Sequence, residues 1–255
     1  MVRKLRGLFF KIWYWYISSI DKNAEVIFMN FGYSNTKENL VLNENDEKNR
    51  YSIQLYHHIA TGVDVGRKRI LEVGCGRGGG LSYLARYLQP ESVVGIDLNA
   101  KAVKFCKEHY KETNVRFIQG DAQELPFADD DFDIVLNVES SHRYPNTNVF
   151  FSEVRRVLKP GGYFLFADFR NKCKVDELDS QLKESGLQVE SREDITENVV
   201  KALTLANPDR EKMIKKLAPR FLHELCRNFA ATVGSPVYKK FSSKELVYLN
   251  YVLRN

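Results

Sequence analysis

Short apolar runs alternate with longer amphipathic stretches along residues 67 to 195 of this 255-residue chain. The runs have the length of strands, and the stretches between them repeat apolar residues every three to four positions, as helices do. This alternation predicts βαβ units and a parallel sheet. The predicted strands are Arg69–Val73, Ser92–Asp97, Val115–Gln119 and residues 132–137, 162–168 and 187–193. The predicted helices between them begin near Gly79, Asn99, Thr147 and Val175.

The C-terminal region adds helical patterns and one further strand. The predicted elements are helices over residues 196–205, 207–218 and 220–230 and a strand over residues 246–253. Thr196 is the predicted N-cap of the first helix. In the third helix Phe221, Leu225 and Phe229 share one face, where they fill the core or line an acceptor pocket.

Residues 3 to 20 carry basic side chains at the front and then a dense aromatic run, RKLRGLFFKIWYWYISSI. The run is interrupted by Lys11 and is shorter than the ~20 apolar residues of a membrane-spanning helix. Trp and Tyr flanked by Lys and Arg favour peripheral contact with a membrane interface. A helix packed against the protein body fits the same pattern, and both alternatives stay open. We therefore expect a cap segment over residues 1–59 and a main domain over residues 60–255, with a helical insertion at about 196–240.

Composition narrows the class of protein. The hydrophobic share of 44% suits a globular chain with a large core, and the net charge of +5 is dispersed, which argues against nucleic acid as a partner. The four cysteines are far apart and none forms a C-x-x-C pair, which favours a reducing, cytoplasmic compartment and argues against zinc. The histidines also lack the spacing of metal ligands, so we expect no metal site.

Polar side chains collect where the predicted strands end. In a parallel sheet ligands bind beyond the carboxyl ends of the strands, so these positions predict one site. They are Glu72 with the glycines that follow it, Asp97, Asp121 with Ala122, Asn137 with Glu139 and His142, and Asp168.

The glycine-rich stretch ILEVGCGRGGG over residues 70 to 80 brings bare backbone close to a ligand at a helix N-terminus. Gly74, Gly76 and Gly79 match the dinucleotide pattern, with Asp97 about 20 residues further on. However, Glu72 would repel a pyrophosphate, and alternate glycines suit the zwitterionic tail of an amino acid.

Two later blocks, GDAQELPF (120–127) and LKPGG (158–162), follow the glycines in the order of class I S-adenosylmethionine methyltransferases. The chain resembles that superfamily. The resemblance implies a Rossmann-like seven-stranded sheet, mostly parallel with the last strand antiparallel, helices on both faces and a helical lid. It also implies S-adenosylmethionine as cofactor and S-adenosylhomocysteine as product.

The resemblance assigns cofactor contacts to individual residues. Glu72 and the backbone of Gly74, Gly76 and Gly78 hold the methionine part, and Asp97 accepts hydrogen bonds from the ribose. Leu98 packs on the adenine, and Asp121 and the Ala122 backbone bind its edge. Asn137 lies near the sulfonium and the methionine carboxylate. Tyr33 also belongs to this set, although Ser34 stands where many relatives have Trp, which puts the role of Tyr33 in doubt. Asp97 as a mere helix cap is the alternative, but Asn99 is available for that.

A closer resemblance appears in NVESSHRYP (137–145) and FADFR (166–170). These blocks are similar to the phthiotriol/phenolphthiotriol dimycocerosates methyltransferases and to small-molecule and sugar O-methyltransferases. That implies O-methylation of a hydroxyl on a lipid-like or polyketide-type acceptor, with His142 as general base and Asp168 as its partner. The alternative without catalysis is that His142 is a loop histidine and that Asp168 is a strand-end cap or the ion-pair partner of Arg170. Glu139 and Tyr144 are candidate substrate contacts.

Two further hypotheses remain at this point. One is a C-methyltransferase acting on a sterol-like substrate, since sterol enzymes carry a similar Glu–His stretch. The other is a cofactor-binding protein without catalysis. The sequence does not indicate an oligomeric state.

Overall fold

One seven-stranded sheet organises the computed structural model, which describes residue 21, residues 24 to 35 and residues 40 to 255. The strands are β1 Arg69–Val73, β2 Ser92–Asp97, β3 Val115–Gln119, β4 Phe132–Val138, β5 Leu158–Asn171, β6 Gln188–Asp194 and β7 Leu246–Arg254. Their order is β3-β2-β1-β4-β5-β7-β6. The first five strands pair in parallel, and β7 runs antiparallel between β5 and β6. The predicted Rossmann-like sheet with an antiparallel last strand is therefore confirmed.

The helices of the described residues lie between and after these strands. They are α1 Glu44–Glu47, α2 Arg50–Ala60, α3 Gly79–Tyr87, α4 Ala100–His109, α5 Thr147–Val157, α6 Val175–Glu184, α7 Thr196–Leu205, α8 Asn207–Leu217, α9 His223–Phe229 and α10 Pro236–Ser242. Short 3₁₀ turns cover Ser141–Arg143, Lys172–Lys174 and Arg220–Leu222. The last four helices all lie between β6 and β7 in sequence. None of the helices described in these ranges is long and apolar enough to cross a membrane.

The sheet is covered on both faces because successive side chains of a strand point to opposite sides. In β1, Ile70 packs in one apolar cluster with Ile53 of α2 and Leu81 of α3. Leu71, the next residue, packs in another cluster with Phe150 of α5. The central strands are apolar along most of their length, and polar side chains collect at their carboxyl ends. Strand β6, at the edge of the sheet, is instead polar and exposed.

Two local expectations for the C-terminal region need correction. Ile195, not Thr196, is the N-cap residue of α7, because the Asp194 carboxylate already accepts the Thr196 N–H at 2.9 Å and draws Thr196 into the helix. Phe221 does not share a helix face with Leu225 and Phe229. It lies in the separate Arg220–Leu222 turn, and its side chain is 83% exposed.

Helix α10 was not predicted, although its start has a recognisable signal. The Ser235 hydroxyl accepts the Tyr238 N–H at 3.2 Å, and Pro236 follows in the first turn. A serine N-cap followed by proline is a typical helix start.

A segment that we call the strap, residues 24 to 33, crosses the glycine loop after β1. A Cβ on Gly79 would lie 2.7 Å from the Ile27 carbonyl oxygen, so the two backbones are in close contact. Just before the strap, Asp21 forms an ion pair with Arg77 of the glycine loop, at 3.1 Å between Oδ2 and Nη2. Both side chains are buried, and the Arg77 guanidinium lies over the Phe105 ring. The glycine loop is thus joined to the strap at its N-terminal end. Residues 3 to 20, with their predicted membrane contact, lie outside the described residues, and the domain division at residues 59 and 60 stays a prediction.

We expect Asp21→Asn to lower the free energy of unfolding by about 3 kcal/mol, because it leaves the buried Arg77 charge without its partner. Urea denaturation measures this loss. Asp209→Asn, at an exposed position on α8, is the matched control. Adding Arg77→Met to Asp21→Asn should recover much of the stability. Equal urea midpoints for Asp21→Asn and Asp209→Asn would contradict a stabilising role for the Asp21–Arg77 ion pair.

Candidate active site

The loop between β1 and α3 approaches the end of β4 more closely than any side chain would allow. Gly74, Gly76 and Gly78 all have positive φ, at 79°, 54° and 76°. A Cβ on Gly74 would lie 2.3 Å from Ser140 Oγ and 2.8 Å from Tyr144 OH. Glycine is therefore required at position 74, and the loop presents bare backbone at the edge of the sheet.

Glu72 lies under this loop, and only one of its two carboxylate oxygens has a hydrogen-bond partner among the described residues. Its side chain is fully buried, and Tyr56 OH donates to Oε1 at 2.6 Å. Oε2 is buried and has no hydrogen-bond partner in the described part of the chain. Burial raises the pKa of this carboxyl to about 7, although the bond from Tyr56 opposes the shift. A buried acceptor of this kind fits a ligand that brings its own N–H donors.

Asp97 at the end of β2 connects the glycine loop to the following turn. Oδ2 accepts the Gly76 N–H and Oδ1 accepts the Asn99 N–H, each at 2.8 Å. Asn99 itself caps α4 by accepting from the backbone of residues 101 and 102, so Asp97 is not needed as the cap. Burial raises the pKa of Asp97, and the two backbone bonds oppose this. Each carboxylate oxygen keeps further acceptor capacity, which suits a vicinal diol.

The remaining predicted adenine contacts lie at the same edge. Leu98 follows Asp97 and is 58% exposed, which is unusual for a leucine beside an apolar strand. Asp121 is exposed, and its Oδ1 accepts the Gln123 N–H at 2.9 Å, which fixes the turn after β3. Ala122 in this turn is 9% exposed.

Asn137 near the end of β4 joins this strand to the end of its parallel neighbour β1. Its Nδ2 donates to the Val73 carbonyl and to Ser140 Oγ, both at 2.7 Å. Its Oδ1 is buried and lacks a hydrogen-bond partner among the described residues. Tyr144 OH lies 2.7 Å from Ser140 Oγ, so this predicted substrate contact faces the glycine loop.

His142 and Asp168 meet at the ends of neighbouring strands β4 and β5. His142 Nδ1 lies 2.8 Å from Asp168 Oδ1, and the His142 backbone N–H donates to Oδ2 at 2.9 Å. Asp168 is fully buried. Burial alone would raise its pKa, but the charges of His142 and Arg170 hold the pKa well below its usual range. Ser141 Oγ also donates to Oδ2 at 2.6 Å. The predicted pair therefore exists as a contact, and it orients the imidazole with Nε2 outward.

The pKa of His142 is lowered, mainly by burial. Asp168 opposes this shift, while the charges of Arg143 and Arg170 add to it. The imidazole is therefore neutral near pH 7, and Nδ1 donating to Asp168 leaves the lone pair on Nε2. Arg143 was missed by the sequence analysis: its Nε donates to that same Nε2 at 3.0 Å. Because Arg143 directly follows His142 in the sequence, it could have been considered as a candidate site residue.

The Glu139 carboxylate already binds groups of the protein, so it is less accessible than a substrate-binding residue would need to be. Glu139 has a positive φ of 49°, and its Oε1 accepts the Phe31 N–H of the strap at 2.6 Å and Tyr248 OH at 3.0 Å. Burial raises its pKa to about 8, and the nearby charge of Arg210 opposes the shift. Arg210 of α8 donates to the Phe31 carbonyl at 3.0 Å. Glu139 therefore joins β4, β7 and the strap.

Aromatic rings form a wall beside His142. The Phe169 ring lies 4.3 Å from the His142 ring, and Phe31 lies 5.3 Å from Phe169. Phe241 of α10 and Tyr248 of β7 extend the wall. Its members come from the strap, two strands and an unpredicted helix, so short sequence patterns do not reveal it. Phe241 and Tyr248 are fully buried, so an apolar ligand would meet this wall at the half-buried Phe169.

Tyr33 lies away from these strand ends in its described contacts. Its ring stacks on His58 of α2 at 4.2 Å between centroids, and its N–H donates to the Tyr51 carbonyl. The structure therefore brings the other predicted residues to one edge of the sheet and holds Tyr33 against α2.

Comparison with known proteins shows which sequences this chain resembles. A family model described as "Methyltransferase domain" matches residues 71–166. The chain is 44% identical over 220 residues to a fatty-acid O-methyltransferase of Mycolicibacterium smegmatis, which covers 86% of this chain and 80% of the relative. It is 39% identical over 245 residues to a phthiotriol/phenolphthiotriol dimycocerosates methyltransferase of Mycobacterium tuberculosis, covering 94% and 91% of the two chains.

Solved structures show the same fold at low sequence identity. The cyclase SpnF has a TM-score of 0.74 with 19% identity and coverage of 98% of this chain and 94% of its own. The StiE O-MT has a TM-score of 0.66 with 18% identity and coverage of 96% and 90%. Because one of these neighbours is named as a cyclase, the fold alone does not determine the reaction.

We expect the His142 imidazole to titrate below its ordinary pKa of 6.5. Asp168→Asn should lower this pKa further, by about one unit, because it removes the anion that stabilises the imidazolium. Arg143→Gln should raise it, because it removes a nearby cation. Proton NMR titration of the imidazole signals measures both shifts, with His142→Gln used to assign the resonance. Shifts of the same sign in both variants would contradict the described electrostatics.

Proposed function

This chain belongs to the S-adenosylmethionine-dependent methyltransferases, and on that premise we propose that it methylates a hydroxyl oxygen of a lipid-like acceptor, with His142 as general base. The observation that carries the proposal is the His142–Asp168 pair at 2.8 Å beside an aromatic wall. The names of the fatty-acid and phthiotriol relatives support a lipid-like acceptor.

The residues around the glycine loop fit S-adenosylmethionine. The unpartnered oxygens of Glu72 and Asn137 would accept from its ammonium group, and the backbone of the loop would lie along its methionine part. Asp97 would accept from both ribose hydroxyls, while Leu98 would pack on the adenine and the turn at Asp121 and Ala122 would bind its edge. When bound, S-adenosylmethionine supplies an electrophilic methyl group on its sulfonium.

His142 would act on the acceptor's hydroxyl group. An aliphatic alcohol is a poor nucleophile unless its proton leaves as the oxygen attacks, and Nε2 of a neutral imidazole can take that proton. Asp168 keeps Nδ1 protonated, orients the ring and stabilises the imidazolium that forms. Since Arg143 Nε donates to the same lone pair, the guanidinium has to move away before the acceptor can bind there.

The aromatic wall would hold the apolar part of the acceptor. Phe31 and Phe169 would contact its chain next to His142, and Glu139 and Tyr248 lie behind them in one hydrogen-bonded group. A long apolar substituent bound there would orient the hydroxyl and so raise the rate of an in-line transfer.

Arg143 favours a second candidate, which is O-methylation of a carboxylic acid. A carboxylate is already ionised and needs no base, but it needs a cation, and the Arg143 guanidinium lies beside His142 Nε2. The name of the fatty-acid O-methyltransferase relative points the same way. The two candidates therefore differ in which of two adjacent side chains they require.

We expect His142→Gln to lower kcat about 10²- to 10⁴-fold on a long-chain alcohol, because the base is lost. Turnover of a fatty acid of equal length should change far less. Product formation from S-adenosylmethionine with a labelled methyl group measures both rates and shows whether the methyl is on oxygen. His109→Gln, at an exposed position on α4, is the matched control.

Unchanged alcohol turnover in His142→Gln would remove the base from the mechanism. A product with an acid-stable methyl–carbon bond would instead favour the sterol-like C-methylation hypothesis. Absence of turnover on every acceptor, with intact cofactor binding, would favour the non-catalytic hypothesis.

We expect Glu72→Gln to weaken binding of S-adenosylmethionine and S-adenosylhomocysteine about tenfold, because a charged acceptor becomes neutral. The same change should stabilise the protein without ligand at about pH 8. Burial raises the pKa of Glu72 from its ordinary 4.5 to about 7, so the stability of the protein falls as the pH rises from about 4.5 to 7, and the loss is complete at pH 8. Calorimetry and urea denaturation measure the two effects, with the exposed Glu91→Gln as control. Full affinity in Glu72→Gln would contradict its assignment to the cofactor.

A further inference from the structure

The outer side of the helical region between β6 and β7 carries an exposed group of residues that the site does not use. We call it the basic tip: Lys212, Lys215 and Lys216 of α8, and Arg220 and Phe221 of the turn that follows. All five side chains are exposed. Lys215 and Lys216 lie three and four residues after Lys212, so the three lysines share the outward face of α8. Ile214 on the opposite face is buried.

Phe221 is the most exposed large apolar side chain of the described residues, at 83%. Its neighbour Leu222 packs inward against the small cluster that contains Ile214 and Val26 of the strap. The turn is therefore anchored on one side while it presents a phenyl ring to the outside. One exposed apolar residue is ordinary by itself. Its position at the end of a basic helix face distinguishes it.

The charge of this region is strongly positive. Residues 207 to 222 contain five basic and two acidic side chains, in a chain whose net charge is +5. Of the two acids, Glu211 is paired with Arg227 at 2.9 Å, which leaves Asp209 as the exposed acid on α8. Arg210 is turned inward to the strap. Lys216 is ion-paired with Glu25 of the strap, so Lys212, Lys215 and Arg220 dominate the outward charge.

The inner side of the same helical region reaches the candidate active site. Phe229 at the end of α9 lies under the Arg143 guanidinium, with 5.8 Å between the ring centroid and Cζ. Arg143 in turn donates to His142 Nε2. The basic tip and the acceptor side of the site are thus two faces of one small helical unit.

We propose that the basic tip docks on an anionic lipid bilayer and holds the acceptor side of the site at the membrane surface. Lys212, Lys215 and Arg220 would lie against lipid phosphates, and Phe221 would insert at the boundary between headgroups and acyl chains. Exposed aromatic and basic residues together suit that interface. The proposal rests on the proposed lipid-like acceptor, which would be drawn from the bilayer.

Sedimentation with vesicles tests the docking directly. Vesicles of phosphatidylglycerol and phosphatidylcholine in equal parts should bind the full chain, and vesicles of phosphatidylcholine alone should bind it much more weakly. Phe221→Ser should weaken binding about tenfold, because an apolar side chain no longer inserts. Lys212→Gln and Lys215→Gln should each weaken it about fivefold, and raised salt should weaken it further.

The controls are Val149→Ser on α5 and Lys183→Gln on α6, which alter exposed residues of the same kinds on the other side of the sheet. All variants should bind S-adenosylhomocysteine like the parent, which excludes misfolding. Equal vesicle binding by the parent and the Phe221 and lysine variants would overturn the proposal. Absence of vesicle binding, with a dimer in solution that Phe221→Ser dissociates, would overturn it in favour of a second copy of this chain.

The docking test can fail or succeed independently of the proposed function, because vesicle binding is measured without turnover. Alcohol methylation can fail while docking succeeds, and the reverse. With a short-chain acceptor dissolved as monomers, Phe221→Ser should turn over like the parent. With the acceptor embedded in phosphatidylglycerol vesicles it should be about tenfold slower at limiting vesicle concentration.

Discussion

The acceptor side of the site consists of His142, Arg143 and the aromatic wall. Its arrangement depends on the hydrogen bonds and ion pairs of the buried Asp168 carboxylate. A fully buried anion has to be paired, and this one is paired with His142, Ser141 and Arg170. These bonds fix the 3₁₀ turn after β4 against β5. They decide which ring nitrogen of His142 points outward and bring Arg143 beside it. Under the proposed function, the choice between alcohol and acid chemistry would therefore depend on two residues of one short turn.

The cofactor side and the acceptor side are built in different ways. The cofactor side consists of consecutive strand ends, with Gly74 in contact with the turn after β4 and Asp97 bonded to Gly76. The acceptor side is assembled from elements distant in sequence, since Glu139 accepts from Phe31 of the strap and from Tyr248 of the last strand. The first arrangement follows the strand ends that the sequence predicted. Under the proposed function, the second would select the acceptor.

This difference explains how much could be predicted from sequence. The strands and the His142–Asp168 contact were predictable, because apolar runs mark parallel strands and their carboxyl ends meet at one edge. Arg143, Phe31 and Tyr248 could not be placed, because their roles depend on long-range packing. Phe221 was misplaced because the helix pattern hides a break after Leu222, so the four-residue spacing no longer puts it on one face with Phe229.

A crystal structure with S-adenosylhomocysteine and a long-chain alcohol would test the central claim most directly. The account predicts that the alcohol oxygen lies about 2.6–3.2 Å from His142 Nε2, in the place of the Arg143 nitrogen, with its chain along Phe169 and Phe31. An alcohol oxygen bound elsewhere, with Arg143 still bonded to His142 Nε2, would contradict it.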